Sequence, residues 1–345
     1  MSIYFRLHPA ILFLACLLLL GCRTPTPPQA TPDLLALIPQ QTDWVDCGDI
    51  FTAGAEGEWD FYLWGGFAAT AVKQNNTYYL YYQGSNGYDD ATDTVTYRAI
   101  GVATSSDGLH FTQYAQNPVL TWLPNNHLEE GTTSGGAFVD ENGRIHIFYG
   151  ANSWIGGEKV SADGRWATSD DGFTFTDNGI ILDHNDNNVW GSRDELFPII
   201  GYTDNGRWFT YYIPNGSLQK GQLGTAWGDS ADALTQSAPV QSGRNKLASW
   251  GPGGLARLDA HTYALFLHNN DDPQTAVHEL RIVSPDSPNQ VSEPIARYEF
   301  DNVLKATILY DPDIHTWFLY YRHTDFDRYG VKIARTDGQP AQCGP

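Results

Sequence analysis

GGFAATAVKQNNTYYLYYQG, residues 65–84, reads as two strands folded back on each other. The run before the turn is small and apolar, and the run after it, Tyr78 to Tyr82, is bulky without a break. KQNNT between them is a hairpin-turn signal. A sheet made of such strands has two faces to bury and two unpaired edges, so its cover has to come from further sheets.

The same pattern returns along the chain. YYLYY from Tyr78, IHIFY from Ile145, WFTYY from Trp208, YALFL from Tyr263 and WFLYY from Trp317 start 67, 63, 55 and 54 residues apart. Each follows a turn signal (DENGR, TDNGR, LDAHT and YDPDIHT in the later copies), and each turn follows a small or apolar strand. A third strand comes after each pair: IGVATSSDG, GRWATSDDG, LGTAWGDSAD, LRIVSPDS and VKIARTDG. Five antiparallel meanders of this size predict an all-β, five-bladed β-propeller, with blades near 60–125, 126–188, 189–245, 246–298 and 299–338. Two stacked sandwiches are the alternative, but they do not predict fivefold recurrence. Asp107, Asp171, Asp286 and Asp337 follow third strands and are expected to cap tight turns.

Outside the repeats the chain carries other signals. Arg6, the apolar AILFLACLLLL and then Gly21-Cys22 resemble a bacterial lipoprotein signal peptide over 1–21, with Cys22 lipidated. RTPTPPQATPD lies in a Pro/Thr-rich linker over 22–42, and the folded part is expected over 43–345. Cys47 and Cys343 remain as a disulfide pair in an oxidising compartment. DWVDCGDIFTA (43–53) has no meander of its own and can supply the outer strand of the last, stapled by that bond. The net charge is −20, from 40 acids and 20 bases, which argues against nucleic acid and anionic membranes as partners. The expected setting is a bacterial cell envelope, with membrane attachment through the lipid alone and a monomeric fold.

In a propeller the first strand of each blade lines the axis, and ligands sit in the funnel where those strands begin. The first three meanders offer Trp59-Asp60, Glu129-Glu130 and Asp194-Glu195 there; the fourth offers Trp250 and the fifth Asp301 and Lys305. Glycosidic cleavage needs one carboxylic acid to protonate the leaving oxygen and a second carboxylate opposite it. A further negative group can keep the acid protonated near neutrality. Aromatic faces cover sugar rings, and Trp59, Trp64, Trp190 and Trp250 flank the acids.

GEWDFYLWGGFAATAVKQNNTYYLYYQG, with IGVATSSDGLHFTQYAQNPVL after it, resembles the opening of propeller glycoside hydrolases related to families 43 and 32, such as arabinanases, xylosidases and invertases. ATSSDGLHFTQYAQNPVL is the most specific part. The detailed motif covers the first meander and returns in the second. The resemblance implies a base or nucleophile before the first inner strand, where Asp60 is the nearest acid. Relatives often carry Asp-Pro at the strand start itself, a place occupied here by Gly66-Phe67. It further implies a pKa-modulating acid from the second blade, Glu130 with Glu129 as its rival, and a general acid Glu from the third, Glu195. Adjacent strand residues point oppositely, so Asp194 is expected to be held by Arg193 or to contact a hydroxyl. Arg193-Asp194 also resembles the transition-state-stabilising pair of invertase-like members.

The expectation is therefore a glycoside hydrolase acting on a neutral oligo- or polysaccharide, with inversion favoured by the family 43 likeness. His127, His268 and His323 stand near blade openings as substrate contacts or ion ligands. No cofactor is required, although DHNDNN (183–188) and HNNDDP (268–273) are oxygen-rich enough for a structural calcium. The rival expectations are a sialidase-like enzyme, a glycan phosphorylase and a non-catalytic surface carbohydrate-binding lipoprotein.

Overall fold

The computed structural model describes residues 27–344 apart from 64–68, 90–93, 124–129, 134, 156–157, 192–195, 205, 215–221, 232–233, 244, 248–249, 270–275, 304 and 326. It is nearly all β. The first meander pairs Thr70–Gln74, Thr77–Asp89, Thr94–Ser105 and Thr112–Gln113 in order. The second pairs Ala137–Val139, Ile145–Ile155, Glu158–Ser169 and Thr176–Leu182, and the third Leu196–Asp204, Arg207–Pro214, Gly224–Gly228 and Gln236–Pro239. The fourth pairs Trp250–Arg257, Tyr263–Asn269, Ala276–Val283 and Ala296–Phe300. Lys305–Asp311, Thr316–Arg322 and Arg328–Arg335 make the fifth, whose outer strand is Val45–Thr52 from the start of the fold.

The turns obey their local chemistry. Asn75 and Asn76, at φ 48° and 62°, form the two-residue link between Gln74 and Thr77. Positive φ at both positions is what a type I′ hairpin demands, and Asn tolerates it better than most side chains. Gly206, at φ 77°, lies in the link between Asp204 and Arg207, where its missing side chain permits that φ.

The unbroken bulky runs are second strands buried on both faces. Tyr78, Leu80 and Tyr82 pack with Phe318 and Tyr320 of the last meander, whereas Tyr79 and Tyr81 pack with Ile145, Ile147 and Tyr149 of the second. Phe148 faces Tyr212, Phe209 and Tyr211 face Tyr263 and Leu265, and Phe266 faces Trp317 and Leu319. Each apolar cluster thus lies between consecutive meanders, and one joins the last to the first. The first strands touch in the same cyclic order. Burial of each such ring is worth about 1.5–3 kcal/mol, so most of the stabilisation lies between sheets.

Glycine permits the closest approach between inner strands. A Cβ on Gly253 would stand 2.3 Å from the Ala306 carbonyl oxygen, and one on Gly254 2.8 Å from the Ile308 amide nitrogen. At the periphery, Val45–Thr52 lies antiparallel to Arg328–Arg335, and Cys47 is bonded to Cys343 with Cα atoms 5.1 Å apart. The expected outer strand and its staple are both present.

Candidate functional site

The inner strands all run the same way in their meanders and begin at Thr70, Ala137, Leu196, Trp250 and Lys305. In the first two meanders the second strand extends past that point, and another segment takes the vacant inner edge. Thr70 pairs with Tyr81, and further along Tyr62 and Ser85 exchange two backbone hydrogen bonds of 2.9 Å. In the second meander Glu130–Thr133 fills the equivalent place, with Glu130 opposite Ser153 and Thr133 opposite Gly150. Gly131 also meets Arg98 of the first meander, where a Cβ would lie 2.7 Å from the Arg98 carbonyl oxygen. The backbone of Glu130 thereby stands on the inner edge of its sheet, beyond the start of the inner strand.

Asp60 lies among buried side chains. Its residue is 5% exposed, and its carboxylate accepts from the Tyr82 hydroxyl and the Gln113 amide, both at 3.2 Å. Gln113 belongs to the outermost strand of the first meander, and the Tyr82 ring packs toward the last one, near Phe51 and Tyr329. The carboxylate is therefore built into the wall between the first and last meanders, not presented at an inner strand. Burial is the chief cause of its raised pKa, with Glu58 adding repulsion while Tyr82 and Gln113 favour the charged form. Trp59 shares this role. Its indole lies over the strands of the first meander, 2.5 Å from where a Cβ on Gly84 would be and 2.6 Å from one on Gly101.

Two other tryptophans divide between wall and funnel. Trp190 packs over Gly224; its amide donates to Ser237 Oγ at 2.7 Å and its carbonyl accepts from Tyr212 at 2.7 Å, so the outer part of the third meander pins it. Trp250 opens the fourth inner strand, opposite Asn269, and stays partly exposed. His268 sits beside it, opposite Gly251, and is 2% exposed. Burial, then Lys305 and His278, hold its imidazole well below the usual histidine range and so neutral. His323 instead pairs with Asp49 of the outer strand at 3.0 Å, away from the axis. Trp64, His127, Glu129, Arg193, Asp194, Glu195 and Cys22 lie outside the described residues, as does the Glu130 side chain.

The fifth meander contributes two cations. Lys305 stands opposite Arg322, which is 3% exposed and donates through Nη1 to the Leu63 carbonyl at 3.0 Å. Arg322 ends the apolar run WFLYYR, where a terminal base reads as a solvated strand end; only the register shows it beside Lys305.

Of the turn acids, Asp171 behaves as expected. It accepts from the Thr174 and Phe173 amides, which hold it down to about 2. Asp107 and Asp337 also accept from amides ahead of them. Asp286 does not: Ser284 Oγ accepts from its amide, and its carboxylate meets Arg207 at 3.5 Å. Within DHNDNN, Asp183 and His184 come within 4.8 Å of Asp163, each offering one ligand atom. That set suits calcium poorly, since it includes an imidazole already bonded to Asp163 at 2.7 Å. Residues 270–273 of the second oxygen-rich stretch lie outside the described residues.

A family model described as the glycosyl hydrolases family 32 N-terminal domain matches residues 69–225. The fold is a glycoside-hydrolase-like β-propeller. Among solved structures, a β-1,2-mannobiose phosphorylase from Listeria innocua aligns with TM-score 0.59 and 13% identity over 85% of this chain and 97% of its own. A glycosyl hydrolase from Bacteroides ovatus aligns at 0.54 and 17% over 86% and 94%, and a family 32 β-fructofuranosidase from Bombyx mori at 0.50 and 12% over 87% and 63%. At such identities the likeness speaks for the fold. No curated protein sequence matches the chain. The family 32 match thus extends beyond the opening motif, through the second meander and into the third.

Proposed function

We propose that this protein is a glycoside hydrolase built as a five-bladed β-propeller, with its reaction at the starts of the five inner strands. The observation that carries the reading is the ring of inner strands, which brings residues distant in sequence to one end of one axis. Glu195 immediately precedes the third inner strand and is the general acid. With Asp60 committed to the wall, Glu130 on the neighbouring inner edge becomes the second carboxylate, taking a proton from water as the water attacks the anomeric carbon. Asp194 is assigned no proton transfer in this reading; its role is a contact to Arg193 or to a sugar hydroxyl. Inversion is the outcome favoured by the family 43 likeness; it requires the two carboxyl groups ~6.5–9.5 Å apart, against ~5 Å for retention. Trp250 offers its face to a ring in the site. We place the chain as a monomer at a bacterial cell envelope, tethered through lipidated Cys22.

The test is turnover of arabino-, xylo- and fructo-oligosaccharides by the wild type, Glu195→Gln and Glu130→Gln. Each variant is expected to lose about 10²–10⁴-fold in kcat while still binding sugar. Full activity in Glu195→Gln would remove the acid assignment. A second reading, a carbohydrate-binding lipoprotein without catalysis, draws on Asp60, whose burial in the wall takes the nearest sequence candidate away from the first inner strand. Sugar binding without turnover by any of the three proteins would favour it.

A further inference from the structure

One hydrogen bond recurs across three of the walls between meanders. The Tyr81 hydroxyl donates to the Gly172 carbonyl at 3.0 Å, Tyr320 to Gly108 at 3.1 Å and Tyr211 to Pro288 at 2.8 Å. Each time a second strand reaches the turn that follows the third strand of the next meander. The residue after the accepting carbonyl therefore holds one equivalent place three times: Phe173, Leu109 and Asn289. Phe173 fills it, with ring centroids 5.8 Å from Tyr79 and 4.5 Å from Tyr114. Leu109 lines a cleft together with Ile314, Phe318 and Ile333. Asn289 is a short amide, and it borders a cleft of about 270 Å³.

This cleft lies between the third and fourth meanders. The third supplies Arg207, Trp227, Asp229 and Gln236 to its lining, and the fourth Asp286 and Asn289. Trp227 stands opposite Phe209 as Thr104 stands opposite Tyr79, so here the aromatic ring comes from the strand and the amide from the turn. Arg207 faces Asp204, at the far end of the inner strand from Leu196. Strand rise alone puts roughly 25 Å between the cleft and the funnel.

The cleft's size, just under the about 300–1,000 Å³ of drug-sized pockets, suits a single ring. Its lining combines a partly exposed indole with two amides, two carboxylates and a guanidinium. Donors and acceptors side by side with an aromatic surface complement a sugar, whose hydroxyls both give and take hydrogen bonds around apolar ring faces. Arg207 meets Asp286 at 3.5 Å, and Asp229 then leaves acids in excess, which disfavours an anionic ligand.

We propose that this cleft is a second glycan-binding site, taking one neutral sugar residue against Trp227, with Asn289 and Gln236 as hydrogen-bonding partners. The inference goes beyond the reading of the funnel, because its ligand class comes from its own lining. At this distance the site holds a glycan without taking part in cleavage.

The test follows the Trp227 indole N–H by NMR in the full chain, its signal identified by its loss in Trp227→Phe. The probes are D-galactose, D-mannose, D-xylose, L-arabinose, D-fructose and D-galacturonate, each to ~10 mM, which nearly saturates a site of Kd ~1 mM. At least one neutral sugar is expected to shift the signal saturably, with galacturonate weaker by about tenfold or more. Asn289→Phe restores the ring that the second meander has at this place; it is expected to fold and to lose about tenfold or more of the affinity by occupying the cleft. An indole unmoved by all five neutral sugars, a response to galacturonate equal to theirs, or wild-type affinity in a folded Asn289→Phe overturns the site. The wild-type panel decides the matter without any variant having to fold. Oligosaccharide turnover alongside a negative panel leaves the hydrolase reading standing alone. A saturable shift in a protein that cleaves no glycan leaves this site standing without it.

Discussion

Asp60→Asn separates a wall residue from a catalytic base. Asn keeps an acceptor for Tyr82 and Gln113 but cannot take a proton from water. Were Asp60 the base, the change would cut turnover by about 10²–10⁴-fold. Its contacts predict instead that turnover stays within about threefold of wild type, because only the wall is touched. Stability supplies the second readout. A raised folded pKa means that the native state favours the protonated carboxyl. That contribution is full below the unfolded value near 3.9 and is lost as pH rises through the folded value. As pH rises through that value the wild type takes on a buried charge that Asn lacks. Asp60→Asn is expected to melt at or above the wild-type temperature at pH 7, with the gap closing on acidification toward pH 4.

Asp60→Ala gives the opposite sign. Gln113 retains the Tyr82 oxygen at 2.9 Å, so the main loss is the acceptor for the Tyr82 proton. One orphaned donor of this kind costs about 1–3 kcal/mol, or about 2–12 °C at about 2–4 °C per kcal/mol. Differential scanning calorimetry at pH 4, 5 and 7, with oligosaccharide turnover in parallel, measures both effects. A hundredfold fall in kcat for Asp60→Asn at an unchanged melting temperature would refute the wall assignment.

Gly253→Ala should cost about 1–3 kcal/mol and weaken sugar binding, because the new methyl meets the Ala306 carbonyl at 2.3 Å and neither strand backbone can yield without moving the funnel; chemical denaturation and sugar titration check it, and a neutral result would dissociate strand approach from the site. Cys343→Ser removes a bond spanning 296 residues and should cost about 2–5 kcal/mol, with proteolysis appearing first in Val45–Thr52. Limited digestion of the reduced protein that leaves this strand intact would argue that sheet pairing alone holds the closure.

The sheets were legible because second strands such as Tyr78–Tyr82 are buried on both faces, which leaves an unbroken bulky run rather than an alternating one. The outer strand and its disulfide were legible because Cys47 lies in a segment without a partner of its own. The site was less so. Counting back from the first inner strand assumes that the chain arrives directly, yet Tyr62 first occupies the inner edge against Ser85, and Asp60 is left behind it over the outer strands. Glu130 escapes this displacement because it lies within the equivalent edge segment itself. Arg322 was invisible for a different reason: its neighbour Lys305 is 17 positions away in sequence and comes opposite it only through hairpin register.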